Sequence, residues 1–121
     1  MGKRLLAVIF CILFFATVAI GADWSKGSGA KSASAVISTK GGVLRQIIIT
    51  TDGSDAVTFD LYDNASAASG TKMIPTWTVT TSSTSRIQSL VIDNARYGSG
   101  LYANVVCSGT VSYVVIYRDD N

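Results

Sequence analysis

Apolar and polar positions alternate along most of this chain in short stretches, which predicts β-strands. Val57, Phe59 and Leu61 alternate with polar or half-polar neighbours, as expected for a strand with one buried face. Three consecutive isoleucines within residues 43–51 predict a strand that is buried on both faces. No stretch after residue 22 repeats with the 3.6-residue period of an amphipathic helix.

The pattern predicts about seven strands, separated by turns of glycine, aspartate, asparagine and serine. They are predicted at 32–39, 43–51, 57–62, 71–81, 86–93, 101–107 and 110–118. Pro75 cannot donate a backbone hydrogen bond, so residues 71–81 form either an edge strand or two short pieces. Residues 52–55 are predicted as a turn, and residues 94–100 as a glycine-rich loop.

The last two predicted strands are expected to form a hairpin, because Ser108-Gly109 between them suits a two-residue turn. The register then places Val106 opposite Val111, Asn104 opposite Tyr113, and Tyr102 opposite Val115. Both faces of this hairpin are largely apolar, one aliphatic and one rich in tyrosine. Either other segments of the chain cover the second face, or it is a subunit interface.

Composition supports an all-β fold. Residues 23–121 hold ten Val, eight Ile and eleven Thr, against four Leu and no Glu, and β-branched side chains suit a pleated surface. We expect a single small antiparallel β-sandwich or jelly-roll-like domain at residues 32–118. Residues 23–31 are polar and glycine-rich and are expected to be a flexible lead-in, and residues 119–121 form a short polar tail.

Residues 1–22 have the pattern of an export signal, which we expect to form a hydrophobic N-terminal helix. Lys3 and Arg4 precede an unbroken apolar run over residues 5–20, and two small residues follow. The alternative is an uncleaved membrane anchor, because residues 5–22 reach the lower limit for spanning a bilayer. The expected location is therefore the periplasm, the cell surface or the extracellular medium.

Removal of residues 1–22 changes the charge and the cysteine count. Without Lys3 and Arg4, eight basic residues balance eight Asp, so the formal net charge falls from +2 to zero. No basic patch then argues for nucleic acid, and membrane contact is expected only through residues 1–22 if they are retained. Cys107 remains without Cys11, so it is expected either as a small buried apolar side chain or in an intermolecular disulfide.

Residues that could carry catalysis or bind a metal are few. The chain has no His, which removes Ser-His and Cys-His nucleophile pairs and the usual nitrogen ligand of zinc. No glycine-rich phosphate loop follows a strand and opens a helix. Asp52, Asp55, Asp60 and Asp63 could serve acid–base chemistry or calcium, but most lie in turn clusters, where Asp is a turn former. We expect a non-enzymatic protein with no catalytic residue, cofactor or metal.

Aromatic residues supply the candidate binding or interface surface, because flat rings contact sugars and tyrosine is favoured at interfaces. The candidates are Trp77, Tyr97, Tyr102, Tyr113 and Tyr117. Trp77 lies near a predicted sheet edge, which suits a platform for a surface glycan. The tyrosines suit a homo-oligomer or contact with other structural proteins. Packing in the core or at its rim is the alternative role for all of them.

Six short motifs, four of which contain glycine, lie within residues 36–118. They are Gly42-Val43-Leu44, Leu61-Tyr62-Asp63-Asn64, Ser69-Gly70-Thr71, Gly98-Ser99-Gly100-Leu101-Tyr102, Ser108-Gly109-Thr110 and Tyr117-Arg118. Their order resembles small β-sandwich modules in structural, decoration-type proteins of tailed bacteriophages. The resemblance implies a non-enzymatic virion-associated or surface module, and it transfers no functional residue. The export segment departs from it, since phage capsid and tail parts assemble in the cytoplasm.

Two functional hypotheses follow from these observations. The first is an exported structural or attachment protein of phage or prophage type that acts through self-association or surface binding. The alternative is a secreted carbohydrate-binding module of lectin or adhesin type. The same fold class fits both hypotheses, so only the chemistry of a binding site or interface can favour one hypothesis over the other.

Overall fold

The computed structural model describes residues 24–54, 56–80, 82 and 86–121. The export segment predicted for residues 1–22, with its helix, lies outside this part of the chain. Among the described residues, no helix is both long enough and apolar enough to cross a membrane.

The described residues form nine strands in two antiparallel sheets, so the all-β prediction is confirmed. The strands are β1 Lys26–Gly27, β2 Ala35–Ser38, β3 Gly42–Thr51, β4 Val57–Asp63, β5 Thr71–Lys72, β6 Trp77–Val79, β7 Ile87–Tyr97, β8 Leu101–Cys107 and β9 Val111–Asp119. Sheet A has the order β1-β9-β3-β7. Sheet B has the order β2-β8-β4-β5, and β6 also pairs with β4.

The inner faces of the two sheets contribute to one hydrophobic core. Phe59 of β4 and Tyr113 of β9 meet edge to face, with their ring centroids 5.1 Å apart, a favourable aromatic geometry. Leu44 of β3 and Leu61 of β4 are fully buried in the same cluster. Cys107 is half-buried and packs against this cluster, so the burial expected in the first of its two roles is only partly observed.

Four of the strand predictions hold closely, and a fifth holds in one of its two forms. The strands predicted at 43–51, 57–62, 101–107 and 110–118 are β3, β4, β8 and β9. Residues 71–81 are divided at Pro75 into β5 and β6, while Thr81 lies outside the described residues. The double burial expected of the isoleucine run is only partly observed, because Ile48 is half-buried on the outer face of β3.

The loop predicted at residues 94–100 is wrong in its first half, because β7 continues to Tyr97. Asp93 and Asn94 have φ angles of 55° and 67°, and they lie where the pairing of β7 with β3 changes register. Asp and Asn tolerate this left-handed conformation better than other non-glycine residues. Their turn chemistry therefore produces an irregularity inside a strand, and the strand resumes after it.

The hairpin predicted for the last two strands is also wrong, although both strands exist. β8 pairs with β2 and β4 in sheet B, whereas β9 pairs with β1 and β3 in sheet A. Asn104 lies opposite Asp60 and not Tyr113. The connection at residues 108–110 crosses between the sheets, and Asp52 N–H donates to the Thr110 carbonyl at 3.3 Å. Both strands thereby gain two neighbours instead of one.

The lead-in predicted at residues 23–31 contains regular pairing in its described part. Lys26–Gly27 forms β1 against β9, and Lys31 makes an isolated bridge with Tyr113. Ser28 N–H donates to the Val115 carbonyl at 2.9 Å. These hydrogen bonds cover the edge of β9, whose polar backbone groups would otherwise lack partners.

Candidate functional site

Three of the five predicted surface aromatics lie in the core, so they form no exposed binding surface. The exposed fractions of Tyr97, Tyr113 and Tyr117 are 2%, 1% and 7%. Tyr113 Oη donates to the Ala33 carbonyl at 2.7 Å, and Tyr117 Oη donates to the Ile37 carbonyl at 3.1 Å. Each ring is thus buried while its hydroxyl keeps a partner. Burial raises the pKa of Tyr113 to about 12.

The other two predicted residues lie on different sides of the molecule. Tyr102 is half-buried on the outer face of sheet B, opposite Tyr62 of β4 and Val36 of β2. Trp77 is half-buried and packs against the core from β6. The structure therefore does not bring the five candidates together into one site.

Trp77 lines an apolar cleft between the sheets at one open side of the molecule. The cleft has a volume of about 390 Å³ and lies between the β5–β6 segment of sheet B and β7 of sheet A. It is lined by Ile74, Pro75, Thr76, Trp77, Leu90 and Ile92. None of these lining residues is ionisable, so the cleft offers apolar contact and no acid–base chemistry.

The outer face of sheet A carries a group of aliphatic side chains, which we call the aliphatic face. It consists of Ile48 of β3, Ile87 and Val91 of β7, and Val114 and Ile116 of β9. Ile87 is 67% exposed and Val91 is 70% exposed. The described positions between them are Gln46, Thr50, Ser89 and Ser112, all uncharged. Exposed apolar patches of this kind mark interaction surfaces.

The outer face of sheet B is more mixed, because tyrosines and ionisable side chains lie there beside the exposed Val36 and Val106. Tyr62 lies opposite Tyr102, and Asp60 lies opposite Asn104 one step further along the same two strands. Asp60 Oδ1 accepts hydrogen bonds from Lys72 Nζ at 2.9 Å and from a threonine hydroxyl at 2.6 Å. Burial alone would raise the pKa of Asp60, but these donors outweigh it and hold the pKa below its usual value.

A second, polar cleft of about 420 Å³ lies where the two chain ends of the described domain meet. It is lined by Trp24, Lys26, Lys40, Arg118, Asp119, Asp120 and Asn121. Lys26 Nζ lies 2.6 Å from Asp119 Oδ2, and Arg96 Nη2 lies 2.7 Å from Asp120 Oδ2. Side chains of both charges therefore line this cleft, and Lys26 and Asp119 form an ion pair within it.

The remaining carboxylates hold loops in place. Asp63 accepts hydrogen bonds from the backbone N–H groups of Gly98, Ser99 and Gly100 at 2.8, 2.7 and 3.3 Å. Asp52 accepts from Ser54 N–H and Oγ at 3.0 and 2.7 Å. Among the described residues, no group of three or more Asp, Glu, His or Cys side chains could hold a metal ion. Asp55 lies outside the described residues.

The aliphatic face is the feature that the sequence did not single out. Ile87, Ser89 and Val91 were assigned to a strand, but their alternation with Gln88, Leu90 and Ile92 leaves both faces apolar. Nothing in the pattern itself says which face is buried. The sequence feature that could have indicated the aliphatic face is the aliphatic side of the last predicted strand, where Val114 and Ile116 lie.

Comparisons with protein-family models, with curated proteins and with solved structures give no match to this chain.

Proposed function

We propose that this protein is a non-enzymatic structural module that associates with copies of itself through the outer face of sheet A. The observation that carries the proposal is the aliphatic face, defined above by Ile48, Ile87, Val91, Val114 and Ile116. Its exposed β-branched side chains lose unfavourable contact with water when a second surface covers them. Because this surface carries no charge, the same surface on two copies can meet without bringing like charges together.

The proposal includes a fold assignment, a β-sandwich of jelly-roll type. If β5 and β6 are counted as one strand interrupted at Pro75, each sheet holds four strands. Apart from β4 and the β5–β6 segment, neighbours in one sheet are separated along the chain by strands of the other, as in the two interleaved Greek keys of a jelly roll. Contacts between the sheets, such as Phe59 with Tyr113, support two layers around one core.

The distribution of ionisable groups supports a non-enzymatic role. The apolar cleft has no ionisable lining residue, and the carboxylates of Asp52, Asp60 and Asp63 accept hydrogen bonds from protein donors. A catalytic acid or base needs access to substrate and a pKa near the working pH. Here the pKa values of these three groups lie below their usual value.

Export and phage-type origin are part of this proposal and rest on the sequence alone. Export rests on residues 1–22, and the phage-type origin rests on the resemblance of the six short motifs. Attachment to a cell surface would follow if the exported module assembles there. Mass spectrometry of protein recovered from cell fractions would show whether residues 1–22 are removed and where the chain resides.

Light scattering over a range of protein concentrations tests the self-association. We expect the molar mass to exceed that of the monomer and to rise with concentration. Ile48→Lys places a charge in the middle of the aliphatic face, and we expect it to weaken association by about tenfold or more, which corresponds to about 1.4 kcal/mol.

Val106→Lys is the matched control. Val106 is 61% exposed on the outer face of sheet B, so the same change of chemistry occurs away from the proposed surface. Its association should equal that of the original protein. A protein that stays monomeric at every concentration would contradict the proposed function, and equal effects of both substitutions would place the surface elsewhere.

Carbohydrate binding is a second candidate, favoured by the outer face of sheet B. Tyr62 and Tyr102 lie side by side there, next to the hydrogen-bonding side chains of Asp60, Lys72 and Asn104. Sugar sites combine aromatic faces with such polar groups. The sequence predicts Trp77 as the platform for a glycan, but the aromatic platform of the proposed carbohydrate site is the pair of Tyr62 and Tyr102.

A glycan array tests this second candidate. If the tyrosine pair binds a sugar, Tyr102→Ala should abolish any signal from the array, while Thr78→Ala, on β6 of the same sheet, should leave it unchanged. An array without a reproducible signal would remove the carbohydrate hypothesis and would leave the self-association proposal untouched.

A further inference from the structure

We infer that two copies of this protein join edge to edge through β7, in antiparallel pairing centred on Ser89. The inference rests on the proposed self-association and names a contact that the aliphatic face alone does not define. Two sheets A would then form one continuous sheet of eight strands with twofold symmetry. In such a contact, the same strand serves as both halves of the interface.

The lengths of the edge strands single out β7. Within the described residues, sheet A ends at β1 and β7, and sheet B ends at β2 and at the β5–β6 segment. β1 and β5 have two residues each, β6 has three and β2 has four, whereas β7 has eleven. Short edge strands are a common protection against pairing with other chains. β7 lacks this protection.

The hydrogen bonds of β7 show which backbone groups point outward. Thr51 N–H donates to the Arg86 carbonyl at 2.9 Å, so the carbonyl of Arg86 faces β3. In an antiparallel ladder, successive residues direct their N–H and C=O groups alternately to one side and the other. The backbone groups of Ile87, Ser89 and Val91 therefore point away from β3, toward the open edge.

The same three residues set the register of the pairing. If Ser89 lies opposite Ser89 of the second copy, Ile87 lies opposite Val91 of the second copy. By the twofold symmetry, Val91 then lies opposite Ile87 of the second copy. These are the two most exposed side chains of the aliphatic face, at 67% and 70%. Each of the three opposed pairs exchanges two backbone hydrogen bonds, about six in all. Cross-strand aliphatic contacts add to them.

The neighbouring register is less favourable. A shift that centres the pairing on Leu90 would place Ile87 opposite Asp93 of the second copy. Asp93 carries a charge and has a φ of 55°, which interrupts the strand at that point. The register centred on Ser89 pairs residues 87–91 of the two copies, all of them uncharged, and does not reach Asp93.

Disulfide cross-linking tests the register directly. Ser89→Cys is made in the full chain with Cys11→Ser and Cys107→Ser, and the protein is recovered from expressing cells. Opposed residues of a hydrogen-bonded antiparallel pair have Cα atoms about 5.5 Å apart, within the range of a disulfide. We expect a covalent dimer under mild oxidation. Thr78→Cys, exposed on an edge of sheet B, is the matched control and should remain monomeric on a denaturing gel.

Ser89→Pro tests the hydrogen bonds. Proline removes the N–H of residue 89, which points away from β3, so the ladder within the protein loses no bond and an edge position can accept proline. We expect the molar mass by light scattering to fall by half. Ser89→Ala keeps the N–H group and should leave the mass unchanged.

The outcomes separate this inference from the proposed function. Self-association that persists in Ser89→Pro, without cross-linking of Ser89→Cys, would overturn the edge pairing while the aliphatic face remains as the surface. A monomeric original protein would overturn both. If Ser89→Pro fails to fold, the cross-link decides alone, because Ser89→Cys is a small change at an exposed position. Cross-linking to a different protein would also overturn the pairing of two copies.

Discussion

At the scale of single residues, the loop after β7 depends on one carboxylate. Asp63 ends β4 and receives three backbone N–H groups from residues 98–100. Gly100 has a φ of 156°, and a Cβ atom there would lie 2.5 Å from the Ser38 carbonyl oxygen. The loop that Asp63 holds therefore also packs closely against β2. This contact connects β4, β7 and β2 at one end of the domain.

The protonation of Asp63 should make the stability depend on pH. Burial would raise its pKa, but the donors of Gly98, Ser99 and Gly100 outweigh burial and hold the pKa below 3.8. A carboxyl group with a depressed pKa stabilises the fold above its unfolded value and loses that contribution as the pH falls through the folded value. The contribution of Asp63 is thus complete at pH 7, begins to decline at about pH 4, and is lost as the pH falls through the lower pKa of the folded state.

Asp63→Asn removes this contribution. Its amide offers one acceptor oxygen where Asp63 uses both, so we expect the free energy of unfolding at pH 7 to fall by about 1–2 kcal/mol. At pH 3 the difference from the original protein should be smaller. Urea unfolding at the two pH values measures this. Asp93→Asn, at an exposed carboxylate, should change stability by less than about 0.5 kcal/mol, and a pH-independent effect of Asp63→Asn would contradict the argument.

At the scale of elements, the connection between β8 and β9 decides the arrangement of strands. A turn sequence at residues 108–109 suits a hairpin, yet the strands it joins belong to different sheets. β8 is held between β2 and β4, and β9 is held between β1 and β3. Each therefore satisfies the backbone groups on both of its edges with neighbours from its own sheet.

Engineered disulfides distinguish these arrangements. Thr58 lies opposite Val106 in the β4–β8 ladder, at a Cα separation of about 4.5–5.5 Å for either kind of antiparallel pair. Thr58→Cys with Val106→Cys, in a chain without its native cysteines, should form an intramolecular disulfide. Counting free thiols before and after oxidation measures it.

The control pair is the one that a hairpin would place in contact. Val106→Cys with Val111→Cys should keep both thiols free, because Val106 faces solvent from sheet B and Val111 is buried on sheet A. Oxidation of this second pair and not the first would show that β8 and β9 do form a hairpin.

At the scale of the whole molecule, the two outer surfaces differ in chemistry. Sheet A presents an uncharged aliphatic face and ends in the long edge strand β7. Sheet B presents tyrosines and a carboxylate paired with Lys72. Self-association through the first surface would leave the second one free. An assembly built in this way could therefore display the tyrosine-bearing face on its exterior.

The sequence allowed several strands to be predicted because their signals are local. The alternation of Val57, Phe59 and Leu61 defines β4. Pro75 divides the segment after β4, because proline has no backbone N–H to donate and interrupts strand pairing at its own position. The candidate site was predictable only in part. Tyr102 lies on the outer face of sheet B, whereas Tyr113 and Tyr117 lie in the core because the strands that cover them are distant in sequence.

The sequence by itself determined the strand-rich composition, most of the turn positions and the absence of histidine chemistry. Only the tertiary structure decided which side of each strand is inside. In the predicted hairpin, Asn104 shares a face with Tyr113, so inner and outer residues mix and both faces look apolar. In the structure, Leu101, Ala103, Val111, Tyr113 and Val115 all point into the core. The choice depends on pairing between strands far apart in sequence, and no local pattern contains that information.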